Sequence, residues 1–140
     1  MTPTQPSTIL THAAVLTMLN AAVDQAETIG QPQCIVIVDA SGVTLGAIRM
    51  NGSKYLSRKS ARAKARTAAS IGVPTVNVPE AVRPAIAAAT EGNMTGLPGG
   101  LPIIFDGTLV GGIGVGSGSG DQDIAVAKAG LAAIGADIPV

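Results

Sequence analysis

From Thr11 to Ile29 apolar residues return every three or four positions, with Val15, Leu16, Leu19, Val23 and Ala26 along one face. That spacing predicts an amphipathic helix. Thr11 stands where a hydroxyl caps the first turn and Gly30 where a left-handed residue ends the last. Gln31-Pro32 punctuates, and the period then changes. Cys34 to Ala40 is a short apolar run, Ser41-Gly42 a turn, and Val43 to Met50 a second run with Val43, Leu45, Ala47 and Arg49 on one face. These predict a first β-hairpin.

Helical spacing resumes from Ser53 to Ile71, before Gly72 and Pro74. At about 100° per residue, Lys54, Arg58, Lys59, Arg62 and Arg66 gather on one side, while Lys64 points the other way, among Ser57, Ala61, Ala68 and Ile71. A short helix follows over roughly 79–90, between loops. Leu101 to Phe105 and Thr108 to Gly116 flank Asp106-Gly107, and Asp-Gly between alternating apolar runs is a strong hairpin signal because both turn residues tolerate positive φ. A last helix is predicted from Asp121 to Ile134, with Ile124, Ala127, Leu131 and Ile134 as its buried stripe and Ser119 and Gln122 at capping-box spacing. The fold class is α+β: a single domain with one mainly antiparallel sheet from two β-hairpins, packed with helices. Residues 1–10, with Pro3 and Pro6, read as a flexible arm, and 11–140 as the domain.

At 140 residues the chain suits one core. Nine basic and nine acidic residues cancel, so no net charge points to nucleic acid. Gly, Pro or a charge interrupts every apolar run before the ~20 residues of a membrane span. The first residues lack the basic and apolar regions of an export signal. Cys34 is the only cysteine, which excludes an internal disulfide and a multi-cysteine metal site. A cytoplasmic setting is expected. With one Tyr, one Phe and no Trp, the core is built from small contributions, and burial between subunits would add to it. A homo-oligomer is the expectation.

The second strand of the later hairpin carries Gly111, Gly112, Gly114 and Gly116. Glycine weakens a strand unless something approaches its backbone closely; a ligand or a partner subunit is expected to be that neighbour. Gly99-Gly100-Leu101-Pro102, Asp106-Gly107, the Val110 to Gly116 run and the helix opened by Asp123 resemble the closing signature of GlcG/HbpS-like proteins. Val36-Ile37-Val38-Asp39, Gly42, Ile48-Arg49-Met50 and Ala63-Lys64-Ala65-Arg66-Thr67-Ala68 are similar to that family's central motifs, in order and spacing. The resemblance covers nearly the whole chain. It implies a small α/β protein, often a homo-oligomer, with some members that bind haem and others linked to glycolate or aromatic catabolism.

The chain departs from that pattern in three places. The arm is not expected to direct export, unlike the secreted branch. Asn51 follows the Arg-Met pair where the family commonly has Asp, and Thr75-Val76-Asn77 occupies the region where the PduO-type branch has a histidine. His12, at the start of the first helix, is the only histidine; Met50 and Met94 are weak alternative ligands for a haem iron.

Lys64 is the leading candidate for function, since an ammonium on a small apolar face either anchors an anion or pairs with Asp39, Asp123 or Glu91. Arg49 is a candidate carboxylate clamp. Thr75 offers a hydroxyl, and Gly99 and Gly100 offer backbone N–H groups for a nest-type anion site. The expected pocket lies between the second helix, the Gly99-Gly100 loop and the second hairpin. The leading reading is a small-ligand-binding protein, for haem by resemblance or for a small carboxylate metabolite by its residues. The alternative is a cofactor-independent isomerase, tautomerase or lyase acting on a hydroxy- or oxo-acid, with Lys64 or Asp39 moving the proton. A third reading is an accessory protein without a ligand.

Overall fold

The computed structural model describes residues 1–139. Helix α1 spans His12–Thr28, and the Thr11 hydroxyl accepts the Ala14 N–H at 3.1 Å. Strands β1 (Cys34–Asp39) and β2 (Thr44–Arg49) form the first hairpin, helix α2 covers Ser57–Ile71, and Gly72 ends it with φ +72°. Single 3-10 turns at Thr75–Asn77 and Glu80–Val82 lead into α3, Arg83–Ala89. Strands β3 (Gly100–Phe105) and β4 (Thr108–Gly116) then precede α4, Gly120–Ala133. The turn between β3 and β4 has φ +47° at Asp106 and +77° at Gly107, as a two-residue hairpin loop that follows the strand twist requires. The Ser119–Gln122 capping box is formed in full.

All four strands pair antiparallel in the order β2-β1-β4-β3. Alternation along the strands gives the sheet two apolar faces. One holds Ile35, Ile37, Leu101, Ile103, Ile113 and Val115 against α1 and α4, which contribute Val15, Met18, Ala22, Val126, Ala127 and Leu131. The other holds Cys34, Val36 and Val38 against Ala61, Ala65 and Ala69 of α2. The result is three layers, with α2 alone on its side.

Four local expectations are corrected. Leu16 is 59% exposed, because the buried line of α1 runs through Val15, Met18, Ala22 and Ala26 instead. In α4 the buried stripe is Asp123, Val126, Ala127, Gly130 and Leu131, with Ile124 and Ile134 only partly covered. Helix α2 begins at Ser57 rather than Ser53, since the Ser53 hydroxyl donates to the Met50 carbonyl at 2.7 Å and closes a turn there. The helix expected over 79–90 is divided, its 3-10 turn giving way to α3 where Pro84 sits in the first turn.

The close neighbour of Gly112, Gly114 and Gly116 is α2 of the same chain, while Gly111 lies against the Val38 carbonyl of β1. A Cβ on Gly114 would lie 1.9 Å from the Ala61 carbonyl oxygen, and one on Gly112 2.2 Å from that of Ala65. No side chain fits there. The helix therefore rests backbone against backbone, over β4, β1 and β3, and leaves the same face of β2 uncovered.

Candidate functional site

The predicted residues fall into two separate places. The first lies at the end of the β3–β4 hairpin distant from its turn. Lys64, 4% exposed, reaches from α2 past the end of β4, where its ammonium donates to the Val115 carbonyl at 2.7 Å and to Asp123 Oδ2 at 3.0 Å. Asp123 Oδ1 accepts the Gly118 N–H at 3.0 Å. Gly99, at φ +115°, closes the site: a Cβ there would lie 2.6 Å from the Val115 oxygen and 2.8 Å from the Asp123 Cβ. Thr75 and Gly100 adjoin it, with the Gly100 N–H donating to the Thr75 hydroxyl at 3.2 Å and that hydroxyl donating to the Leu97 carbonyl at 2.5 Å. Lys64, Thr75, Gly99 and Gly100 thus lie together in this structure. The space between them is filled with their own backbone and with Asp123.

Asp39 is elsewhere and works locally. Its carboxylate accepts the N–H groups of Ser41 at 2.9 Å and Val43 at 3.0 Å and shapes the β1–β2 turn. His12 opens α1 on the layer opposite α2 and is exposed. Among the described residues, no three of His, Cys, Asp and Glu gather in a way that would hold a metal ion.

Arg49 belongs to the second place. Where α2 leaves β2 uncovered, a groove of about 430 Å³ runs between strand and helix. Val36, Ala47 and Thr44 form its floor and Cys34 one end, while Arg49 stands on the strand side and Arg58, Lys59 and Arg62 on the helix side. No acidic residue lines it. Among the described residues the one ion pair is Lys64–Asp123, so these four cations are uncompensated. Arg58 additionally donates from Nε to the Tyr55 carbonyl at 3.2 Å. The first turn of α2 holds no acidic residue either. Two basic residues at the positive end of a helix are unfavourable unless an anion sits nearby.

The basic stripe was legible from helical spacing, but the groove was not. It depends on α2 stopping short of β2, which no local pattern encodes. Gln33 also escaped notice: it is fully buried, and neither its amide nitrogen nor its oxygen has a protein partner. A polar residue one position before an apolar strand carries no signal of burial.

Known proteins share this architecture. Residues 10–132 match the family described as "Haem degrading protein HbpS-like". The corrinoid adenosyltransferase PduO of Citrobacter freundii is 32% identical over 135 residues, which are 93% of this chain and 40% of PduO. The chain therefore spans well under half of that relative. The crystal structure of the Klebsiella pneumoniae protein ORFY superposes with a TM-score of 0.92 at 28% identity, covering 96% of this chain and 97% of that one. A crystal structure of a PduOC:heme complex superposes with a TM-score of 0.87 at 28% identity, covering 95% of this chain and all of the other. The sheet order and helix layers are thus those of a shared fold. With a match running from the end of the N-terminal segment to the last helix, the chain belongs to the HbpS-like family of haem-degrading proteins.

Proposed function

We propose that this protein binds a small molecule that carries carboxylates on a flat apolar body, and that the ligand lies in the groove between β2 and α2. One observation carries the reading: four uncompensated cations stand around an apolar floor with no acidic residue in the lining. Each guanidinium can hold a carboxylate through two parallel hydrogen bonds. Lys64, Thr75, Gly99 and Gly100 act in this reading from behind, by fixing α2 on the sheet.

Haem belongs to this ligand class, and the family description and the haem complex of PduOC support it. Arg49, Arg58, Lys59 and Arg62 suit its two propionates, and Val36 and Ala47 suit the ring. The iron fits less well. The groove lining contains no His, Met or Tyr, and Cys34 is 1% exposed with its thiol hydrogen donated to the Lys54 carbonyl. Exposed Val43, Leu45 and Ile48 beside the edge of the sheet support the homo-oligomer expected from composition.

A haem titration followed by absorbance tests the site. Wild type is expected to give a saturable, stoichiometric Soret change, and Arg58→Gln/Arg62→Gln to bind at least tenfold more weakly with an unchanged circular dichroism spectrum. Equal binding by both proteins would remove the groove from the reading.

A further inference from the structure

We infer that the groove selects its ligand by carboxylates and not by iron, so that a tetrapyrrole with metal and one without bind equally well. The inference rests on the proposed groove and goes further by naming what the groove recognises.

The argument is one of donors. Two carboxylates on one edge of a flat molecule need two cationic partners, and the groove supplies four. Arg58 and Arg62 lie one helical turn apart, a rise of about 6 Å, on the same side of α2. Arg49 faces them from the strand, opposite Cys34 in the β1–β2 register.

An iron atom needs a different partner, a nitrogen, sulfur or phenolate with a free lone pair and room to approach. His12 begins α1 on the far layer. Met50 turns its sulfur to the Gln33 N–H at 3.4 Å and lines a separate hollow. Cys34 closes one end of the groove but is 1% exposed, with the Ser53 hydroxyl 3.5 Å from its sulfur and the Lys54 carbonyl equally near. Tyr55 is 63% exposed but lines the neighbouring hollow beyond Arg49. Met94 lines another hollow, beside Gly42 and Arg66. The cations converge on the groove, and of the metal donors only the buried, hydrogen-bonded Cys34 borders it.

The experiment compares three probes in the same dilute detergent: haem, iron-free protoporphyrin and the dimethyl ester of iron-free protoporphyrin. Haem and iron-free protoporphyrin are expected to bind within about threefold of each other. The ester is expected to bind at least tenfold more weakly, and Arg58→Gln/Arg62→Gln to weaken the two acids alike. Haem binding thirtyfold or more tighter than the iron-free acid, with a ligand-field band lost in Cys34→Ser or Tyr55→Phe, would overturn the inference and leave the groove intact. Ester binding as tight as the acid would overturn it as well. Failure of all three probes to bind saturably would overturn the reading of the groove, and this inference with it.

Discussion

The ammonium of Lys64 and the carboxylate of Asp123 meet 3.0 Å apart although they belong to helices on opposite faces of the sheet. The contact passes around the end of β4, where the Val115 carbonyl takes a second ammonium hydrogen at 2.7 Å. Both side chains are almost fully buried, at 6% and 4% exposure. A lone charge there would lack its counterion in a medium of low polarity. The pair therefore fastens α2 to α4.

Lys64→Met is expected to lower stability by about 3 kcal/mol, because it leaves Asp123 buried without its cation. Adding Asp123→Asn should recover part of that loss, since the amide keeps an oxygen for the Gly118 N–H. Urea denaturation of the two single variants and the double variant closes the cycle, and a coupling of about 2 kcal/mol is expected. Additive losses would show that the two residues act separately.

Gly114→Ala should cost about 3 kcal/mol or more, because its methyl group would occupy the position 1.9 Å from the Ala61 carbonyl oxygen. Gly107→Ala meets nothing within 4 Å and should lose only about 1 kcal/mol, through its φ of +77°. Denaturation midpoints of the two variants, compared with wild type, check the contrast. Equal losses would mean that the helix can lift from β4 without penalty.

Much of this was legible in the sequence. The Thr11 cap, the Gly72 stop, the Asp106-Gly107 turn and the Ser119–Gln122 box are signals confined to a few neighbouring residues, and each stands where its local chemistry puts it. Asp123 was among three expected partners of Lys64. What the sequence withheld depends on distance. The β4 glycines announced a close neighbour but not its identity, because α2 lies about fifty residues earlier. Leu16 and Met18 compete for the inward face of α1, and the choice falls to Met18 through the way α1 packs against α4. The open pocket expected at Gly99 and Gly100 required side chains that pull apart; these pull together.

Gln33→Met should raise stability by about 1 kcal/mol, since a buried amide without partners gives way to an apolar side chain of similar length. A thermal melt should move upward by roughly 3 °C. A fall of similar size would show that water molecules satisfy the amide, and that the variant loses their hydrogen bonds.

Arg58→Glu/Arg62→Glu should change stability by less than about 0.5 kcal/mol, as both residues are exposed. Affinity for haem should fall far more than tenfold. The remaining wild-type affinity should weaken as ionic strength rises from 0.1 M to 1 M, over which the screening length falls from about 10 Å to about 3 Å. Salt-independent binding would exclude the cations as the main source of affinity.

Because α2 lies directly on glycine backbone, its height above the sheet is set by atoms that no rotamer change can adjust. The cations on its outer edge inherit that height and stand low beside the uncovered strand. Their reach is thus a property of the seam as much as of the side chains themselves. Replacements at Gly112 or Gly114 that the fold survives would tilt the wall of the groove and alter ligand selection from a position no ligand touches.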